Sequence, residues 1–251
     1  MLELRKLSRH FGGVKAVDEL DLVVNKGEIL GLIGPNGSGK STTVNLITGV
    51  YQPSAGTLHF KGSDISQRDL HQRSQLGIAR TFQNIRLFGN LTVWQNLWAA
   101  RVVRETGWRG FRERWLSGAA TAREHAEELL EFADLAHKRD MLASQLAFGE
   151  QRRLELIRAA ATDAELLLLD EPAAGMNAEE IHDLDARIRS LRDRGRTILL
   201  IEHHMELVMG VCDRITVLNF GRKIAEGTPV QVQQDAQVRA AYLGADEAAA
   251  V

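Results

Sequence analysis

Gly34-Pro-Asn-Gly-Ser-Gly-Lys40-Ser41 fits G-x-x-x-x-G-K-[ST], and its flanks leave few folds open to the chain. Residues 28–33 before it form an apolar, β-leaning run, and residues 42–48 after it continue as a helix. A strand that turns through glycines into a helix closes backbone N–H groups around phosphate oxygens. The helix N-terminus adds partial positive charge. In that setting Gly34, Pro35, Asn36, Gly37, Ser38 and Gly39 wrap the phosphates and Thr42 follows at the helix start. Lys40 reaches the β- and γ-phosphates, and the Ser41 hydroxyl ligates Mg²⁺. A glycine-rich turn with a chance lysine is the bland alternative; the strand and the helix in place on either side argue against it. The pattern predicts a chain that binds a nucleoside triphosphate.

The 251 residues suffice for one large α/β domain or two smaller lobes with a real core. With 31 basic and 33 acidic residues there is no global field to draw in nucleic acid. Cys212 is the lone cysteine, which excludes an internal disulfide framework and agrees with a reducing compartment. The first residues are charged rather than a signal-peptide core, and no run of apolar residues is long enough to span a bilayer. A cytosolic or peripheral protein is expected, with any membrane role exercised through a partner.

Alternating Leu2 and Leu4, then residues 20–24 and 28–33, read as strands, with turns at Gly12-Gly13 and Asn25-Lys26-Gly27. Residues 56–60 make another strand. Leucines and alanines at helical spacing dominate residues 91–161, broken near Gly107, Gly110 and Gly118. Strand character returns at residues 166–169, 197–201 and 215–218, with a charged amphipathic helix over 179–194. The expectation is a phosphate-binding α/β core interrupted by an all-helical insertion. Residues 245–251 read as a frayed tail.

Leu166-Leu-Leu-Leu-Asp170-Glu171 is an apolar strand ending in two carboxylates. In a parallel sheet such a strand is buried on both faces and opens at its carboxyl end toward the ligand crevice. Asp170 is then placed to hold Mg²⁺, directly or through water, and Glu171 to orient or deprotonate the attacking water. Residues 197–203 repeat the arrangement, with His203 just past a buried strand, where a neutral imidazole can bond a γ-phosphate oxygen. His203 and His204 together suggest a metal site instead, but neighbours on an extended segment point opposite ways. Leu146-Ala-Phe-Gly149-Glu150 opens a helix about twenty residues before Asp170.

These pieces, in this order, resemble the nucleotide-binding subunit of an ABC transporter over almost the whole chain. The resemblance implies a P-loop NTPase core, a mixed sheet with flanking helices. To it are added an N-terminal antiparallel β subdomain and an inserted all-helical subdomain. The core would cover about residues 1–85 and 160–240, the insertion about 86–159. Residues 34–41 are similar to the Walker A motif and 166–170 to Walker B, with Glu171 as the catalytic glutamate. Gln83 matches the glutamine that touches Mg²⁺ or the attacking water, Phe11 the aromatic that stacks on adenine, and His203 the switch histidine. Ala147, Phe148, Gly149 and Glu150 match the signature loop that meets ATP held by the opposite subunit, and Asn177 lies in the D-loop. Two departures stand out. Ala147 replaces the usual signature serine, and Asn177 stands where aspartate is usual. Losing one hydroxyl donor to a charged phosphate costs roughly 1.5–3 kcal/mol, so weakened but not abolished closure is expected.

Finer matches lie in residues 146–155, 170–177, 201–209 and 241–244. They resemble the G-type ATPases of branched-chain amino acid importers, in which an alanine at the position of Ala147 is habitual. That resemblance implies ATP and Mg²⁺ as cofactors, a second, related ABC ATPase subunit in a heterodimer, where the motifs themselves also permit a homodimer, and two integral-membrane permeases. It further implies, indirectly, an extracytoplasmic substrate-binding protein, and a peripheral place on the cytoplasmic face of the cell (inner) membrane. Urea and short-amide importers use similar ATPases. A soluble ABC ATPase acting on DNA or ribosomes lacks its usual coiled-coil arms, tandem cassettes or basic extensions here. A GTPase lacks a downstream Asn-Lys-x-Asp motif, and a kinase has no need of residues 146–150. Trp94, Trp98, Trp108 and Trp115 gather with Arg101, Arg104, Arg109, Arg112 and Arg114. They form either a permease-docking surface or the packing of a helical hairpin with a basic face.

Overall fold

The computed structural model describes residues 1–104 and 119–248. The N-terminal strands β1 (Leu2–Phe11) and β2 (Val14–Val24) form a hairpin through Gly12, whose φ of 56° suits glycine. Their register sets Leu2 opposite Val24, Leu4 opposite Leu22 and Leu7 opposite Leu20, all buried, so one face of the hairpin is apolar. With β4 (Ala55–Phe60) and β5 (Ser63–Asp64) they make an antiparallel sheet in the order β2-β1-β4-β5.

The second sheet holds β3 (Ile29–Ile33), β6 (Ile78–Arg80), β7 (Leu166–Asp170), β8 (Thr197–Ile201), β9 (Arg214–Asn219) and β10 (Arg222–Gly227) in the order β10-β9-β3-β8-β7-β6. All pairings are parallel except β10 on β9, so the sheet is mixed, as expected for this class. Every residue of β3, β7 and β8 is buried, which accounts for their unbroken apolar sequences. Alternate residues of these strands serve two cores. Leu30, Leu32, Leu166, Leu168, Leu199 and Ile201 face the antiparallel sheet and helix α1 (Lys40–Thr48). Ile29, Ile33, Leu167, Leu169, Ile198 and Leu200 face the helices on the other side.

Those helices are α3 (Val93–Arg104), α4 (Ala119–Phe132), α5 (Phe148–Ala160), α6 (Ala178–Asp193) and α7 (Met205–Val211). The chain then closes with α8 (Pro229–Gln234) and α9 (Ala236–Ala248). Helix α9 runs to Ala248, into the segment that the sequence marks as a frayed tail. Trp94 and Trp98 stack with ring centroids 6.3 Å apart, and Trp94 packs against the helical core. Trp108, Trp115, Arg109, Arg112 and Arg114 lie outside the described residues.

Helix α2 (Leu70–Leu76) begins with a capping box: Gln72 N–H donates to Asp69 at 2.8 Å, and Asp69 N–H donates to the Gln72 side chain at 3.1 Å. It carries Arg73, 1% exposed, whose guanidinium donates to the carbonyls of Leu46, Ile47, Ser66 and Arg68. Two of these carbonyls are at the C-terminal end of α1, where the helix leaves acceptors unpaired and a cation is favoured. Burial lowers the Arg73 pKa to about 10, which leaves it charged at neutral pH. Arg73→Ala strands these carbonyls in the core, and a fall in Tm of about 5–10 °C by thermal unfolding is expected.

Candidate functional site

The parallel register aligns the ends of the three buried strands. Leu32 and Asp170 are both level with Ile201, so the loops after β3, β7 and β8 emerge side by side. The loop after β3 is shaped by glycine. Gly34, Gly37 and Gly39 have φ of 151°, 76° and 102°, and a Cβ on Gly34 or Gly39 would run into the carbonyls of Leu218 or Ala16. Beyond Gly37 the space is open, and Asn36, Gly37 and Ser41 are exposed. Thr42 is half-buried in the first turn of α1, where Thr43 Oγ1 donates to the Gly39 carbonyl at 2.9 Å. The β9–β10 turn braces the loop: Gly221 N–H donates to the Ser38 carbonyl at 2.9 Å.

Lys40 Nζ folds back onto this loop and donates to the carbonyls of Gly34 at 2.6 Å and Pro35 at 3.0 Å, with Ser38 Oγ at 3.4 Å. The side chain is almost buried, and among the described residues it forms no ion pair. Burial pulls its pKa below the ordinary lysine value, while the charges of Glu171 and Asp170 oppose that shift. A desolvated ammonium held only by neutral oxygens is ready to exchange them for an anion.

Glu171 has a φ of 49°, unusual for a non-glycine residue, and its N–H donates to the Ile201 carbonyl at 2.8 Å. Gln83 Nε2 donates to Glu171 Oε2 at 2.7 Å, and His203 Nδ1 lies 3.8 Å from the same oxygen. The fold therefore gathers Gln83, Glu171 and His203, drawn from three separate loops, around one carboxylate. Asp170 sits beside them at the end of β7 and is held by Arg80. At the outer edge Phe11 is 39% exposed and meets Tyr51 edge-on at 5.2 Å, with the Arg9 guanidinium 4.7 Å from the Phe11 ring centroid. A partly exposed aromatic ring suits a purine base.

Residues 146–150 keep other company. Ala147 precedes α5 without a side-chain acceptor, so Glu150 alone performs the capping, accepting from Ala147 N–H at 3.0 Å while Lys138 pairs with it at 2.6 Å. A Cβ on Gly149 would run into the Glu180 carboxylate, and one on Gly175 would come to 3.0 Å from the Phe148 ring. Phe148 is itself 46% exposed. Asn177 caps α6, accepting from Glu180 N–H at 3.0 Å. Asparagine and aspartate cap about equally well, so the local role of Asn177 is met by either residue. Among the described residues no group of three or more His, Cys, Asp or Glu side chains is placed to hold a metal ion.

Several groups that shape the site carry no obvious motif. Glu202 is wholly buried and accepts from the N–H groups of Ala173 at 2.8 Å, His203 at 2.9 Å and His204 at 3.0 Å. It thereby ties the loop carrying Glu171 to the loop carrying His203. A carboxylate directly behind the apolar strand β8 was the available signal. The Gln83 loop is strapped to α5. Arg152 donates to the carbonyls of Phe82 at 3.2 Å and Gln83 at 2.7 Å, and Glu155 accepts from the N–H groups of Phe82 and Arg86. Burial raises the Glu155 pKa against those donors.

Comparison with known proteins finds relatives over nearly the whole chain. The family profile of ABC transporters matches residues 17–174, and that of the branched-chain amino acid ATP-binding cassette transporters matches residues 222–248. The chain is 42% identical over 256 residues to the high-affinity branched-chain amino acid transport ATP-binding protein LivG of Escherichia coli K12, covering 97% of this chain and 98% of that protein. It is 40% identical over 255 residues to BraF of Pseudomonas aeruginosa, described in the same words, with the same coverage. Among solved structures, the ADP conformation of MJ1267, an ATP-binding cassette of an ABC transporter, superposes with a TM-score of 0.86 at 33% identity, covering 97% of this chain and 98% of that one.

Glu202→Gln sets an amide against backbone donors and removes one acceptor from the buried junction. A loss of about 1–3 kcal/mol is expected, read as a drop in Tm of about 3–8 °C.

Proposed function

The chain belongs to the ABC transporter ATP-binding subunits and is an ATPase, and on that premise we propose that it powers uptake of branched-chain amino acids through partner membrane permeases. The observation that carries the cargo assignment is the match over nearly the full length to LivG, extending through residues 222–248, a segment without Walker or signature residues. Urea or short-amide import, the alternative weighed from sequence, is not favoured.

The site suits a triphosphate with Mg²⁺. A nearly buried Lys40, in no ion pair among the described residues, offers the cation, and Asp170 with the exposed Ser41 and Gln83 offers oxygen ligands for the metal. When bound, Mg²⁺ supplies charge neutralisation on the β- and γ-phosphates. Lys40 exchanges the Gly34 and Pro35 carbonyls for phosphate oxygens. Glu171 accepts the proton of the attacking water, its carboxylate oriented by Gln83 and faced by His203. Phe11 stacks on adenine. Residues 147–150 and Asn177 meet the nucleotide of a second ATPase subunit, in a heterodimer by family resemblance. The helices of residues 86–159 act as the inserted subdomain.

Among the described residues no helix is long and apolar enough to cross a membrane. A peripheral position on the cytoplasmic face, against two permeases served by an extracytoplasmic binding protein, follows from the import reading. The described residues also form a cleft of about 570 Å³. It lies between α2 and α5, is lined by Val50, Leu70, Phe82 and Phe88 with Arg86 and Arg158 among them, and borders the Gln83 loop.

Affinity capture of the tagged chain from detergent-solubilised native membranes should recover two polytopic permeases and a second ATPase. Recovery of only soluble chains, ribosomes or DNA would overturn the transport role. Glu171→Gln should retain ATP binding and lower ATP turnover by about 10²-fold or more, measured by phosphate release, since general-base assistance is worth roughly that much. Unchanged turnover would remove Glu171 from the chemistry.

A further inference from the structure

Asp170, read above as a Mg²⁺ ligand, already has a cation. Arg80 Nη2 donates to Asp170 Oδ2 at 2.6 Å, and Arg80 Nη1 donates to Asn45 Oδ1 at 2.7 Å. The ion pair is largely desolvated, with side chains 12% and 9% exposed. Arg80 ends β6, Asn45 lies one turn beyond Ser41 in α1, and Asp170 ends β7. One guanidinium thus spans three elements around the metal-binding groups. Its carbon also lies 5.0 Å from the ring centroid of Phe82, the residue before Gln83.

We propose that Arg80 is a positioning residue that serves as the internal counter-cation of Asp170, neutralising it until Mg²⁺ arrives with nucleotide and setting how much Mg²⁺ the site demands. The proposal rests on the Asp170–Mg²⁺ reading above. Without metal, an unpaired Asp170 would repel the triphosphate, so Arg80 aids metal-free binding. With metal, the same guanidinium lies within a few ångströms of a dication and resists its entry. The two effects have opposite signs, which separates this role from a merely structural one. Arginine suits it because its planar fork holds Asp170 and Asn45 at once, whereas lysine keeps the charge at a single point.

The test measures binding of a fluorescent non-hydrolysable ATP analogue (mant-AMP-PNP) to the full chain, first in EDTA and then across a Mg²⁺ titration. Arg80→Gln should bind about ten-fold more weakly in EDTA and reach half-saturation at about ten-fold lower Mg²⁺, as expected for removing one nearby charge from a partly desolvated site. Arg80→Lys should stay within about three-fold of the native chain in both conditions, because the charge remains. Weakening of Arg80→Gln in both conditions, or no shift in either, would overturn the proposal. If Arg80→Gln does not fold, Arg80→Lys carries the test, and a ten-fold loss in EDTA would overturn it. A native chain whose binding ignores Mg²⁺ would overturn the metal reading and this proposal together. A native response that Arg80→Gln reproduces would remove the Arg80 role alone.

Discussion

Parallel hydrogen bonding of β3, β8 and β7 in one register is the constraint from which the rest of the site follows. Because Leu32 and Asp170 both stand level with Ile201, the chain leaves the sheet at the same height three times. The phosphate loop, the Asp170-Glu171 pair and the Glu202-His203 pair therefore converge although long stretches of chain separate them. Burial on both faces makes this register costly to shift, since a one-residue slip would exchange the side chains of the two cores. The charged groups sit at strand ends because the strands themselves admit none.

Around that edge the structure manages charge by neighbours rather than by solvent. Glu202 is fully buried, yet three backbone N–H groups satisfy it. Arg73 is similarly enclosed and similarly satisfied by carbonyls. Lys40 follows the same pattern, held by the carbonyls of Gly34 and Pro35 with no ion pair among the described residues, but it lies on the phosphate loop, whose outer side at Gly37 is open, so an anion can displace those oxygens.

The loop of residues 146–150 shows a helix start capped from one side only. Ala147 offers no capping acceptor, so half of a capping box remains, the bond from its N–H to the Glu150 carboxylate. Gly149 and Gly175 permit close contact with Glu180 and Phe148, so this loop and the start of α6 pack against one another. Arg152 and Glu155 extend the same helix to the Gln83 loop. One helix thus begins at the loop of residues 146–150 and a turn later bonds to the Gln83 loop, joining the two by direct contact.

Local pattern alone determined the phosphate loop, the buried strands of residues 166–170 and 197–201, and the candidate roles of Lys40, Glu171 and His203. These are legible because glycine spacing and apolar runs are short-range properties. Helix α2 went unread, although Asp69, Gln72 and Gly77 mark its ends, because a helix this short barely registers as a period. Strand β6 was not readable, because three residues carry no alternation. Only the tertiary structure decided that Arg80 meets Asp170, 90 positions away, that Arg152 and Glu155 grip residues 82–86, and that Glu202 joins two loops. The physical reason is that a polar side chain's partner depends on which strand ends the sheet brings together, and sheet order is a property of the whole chain.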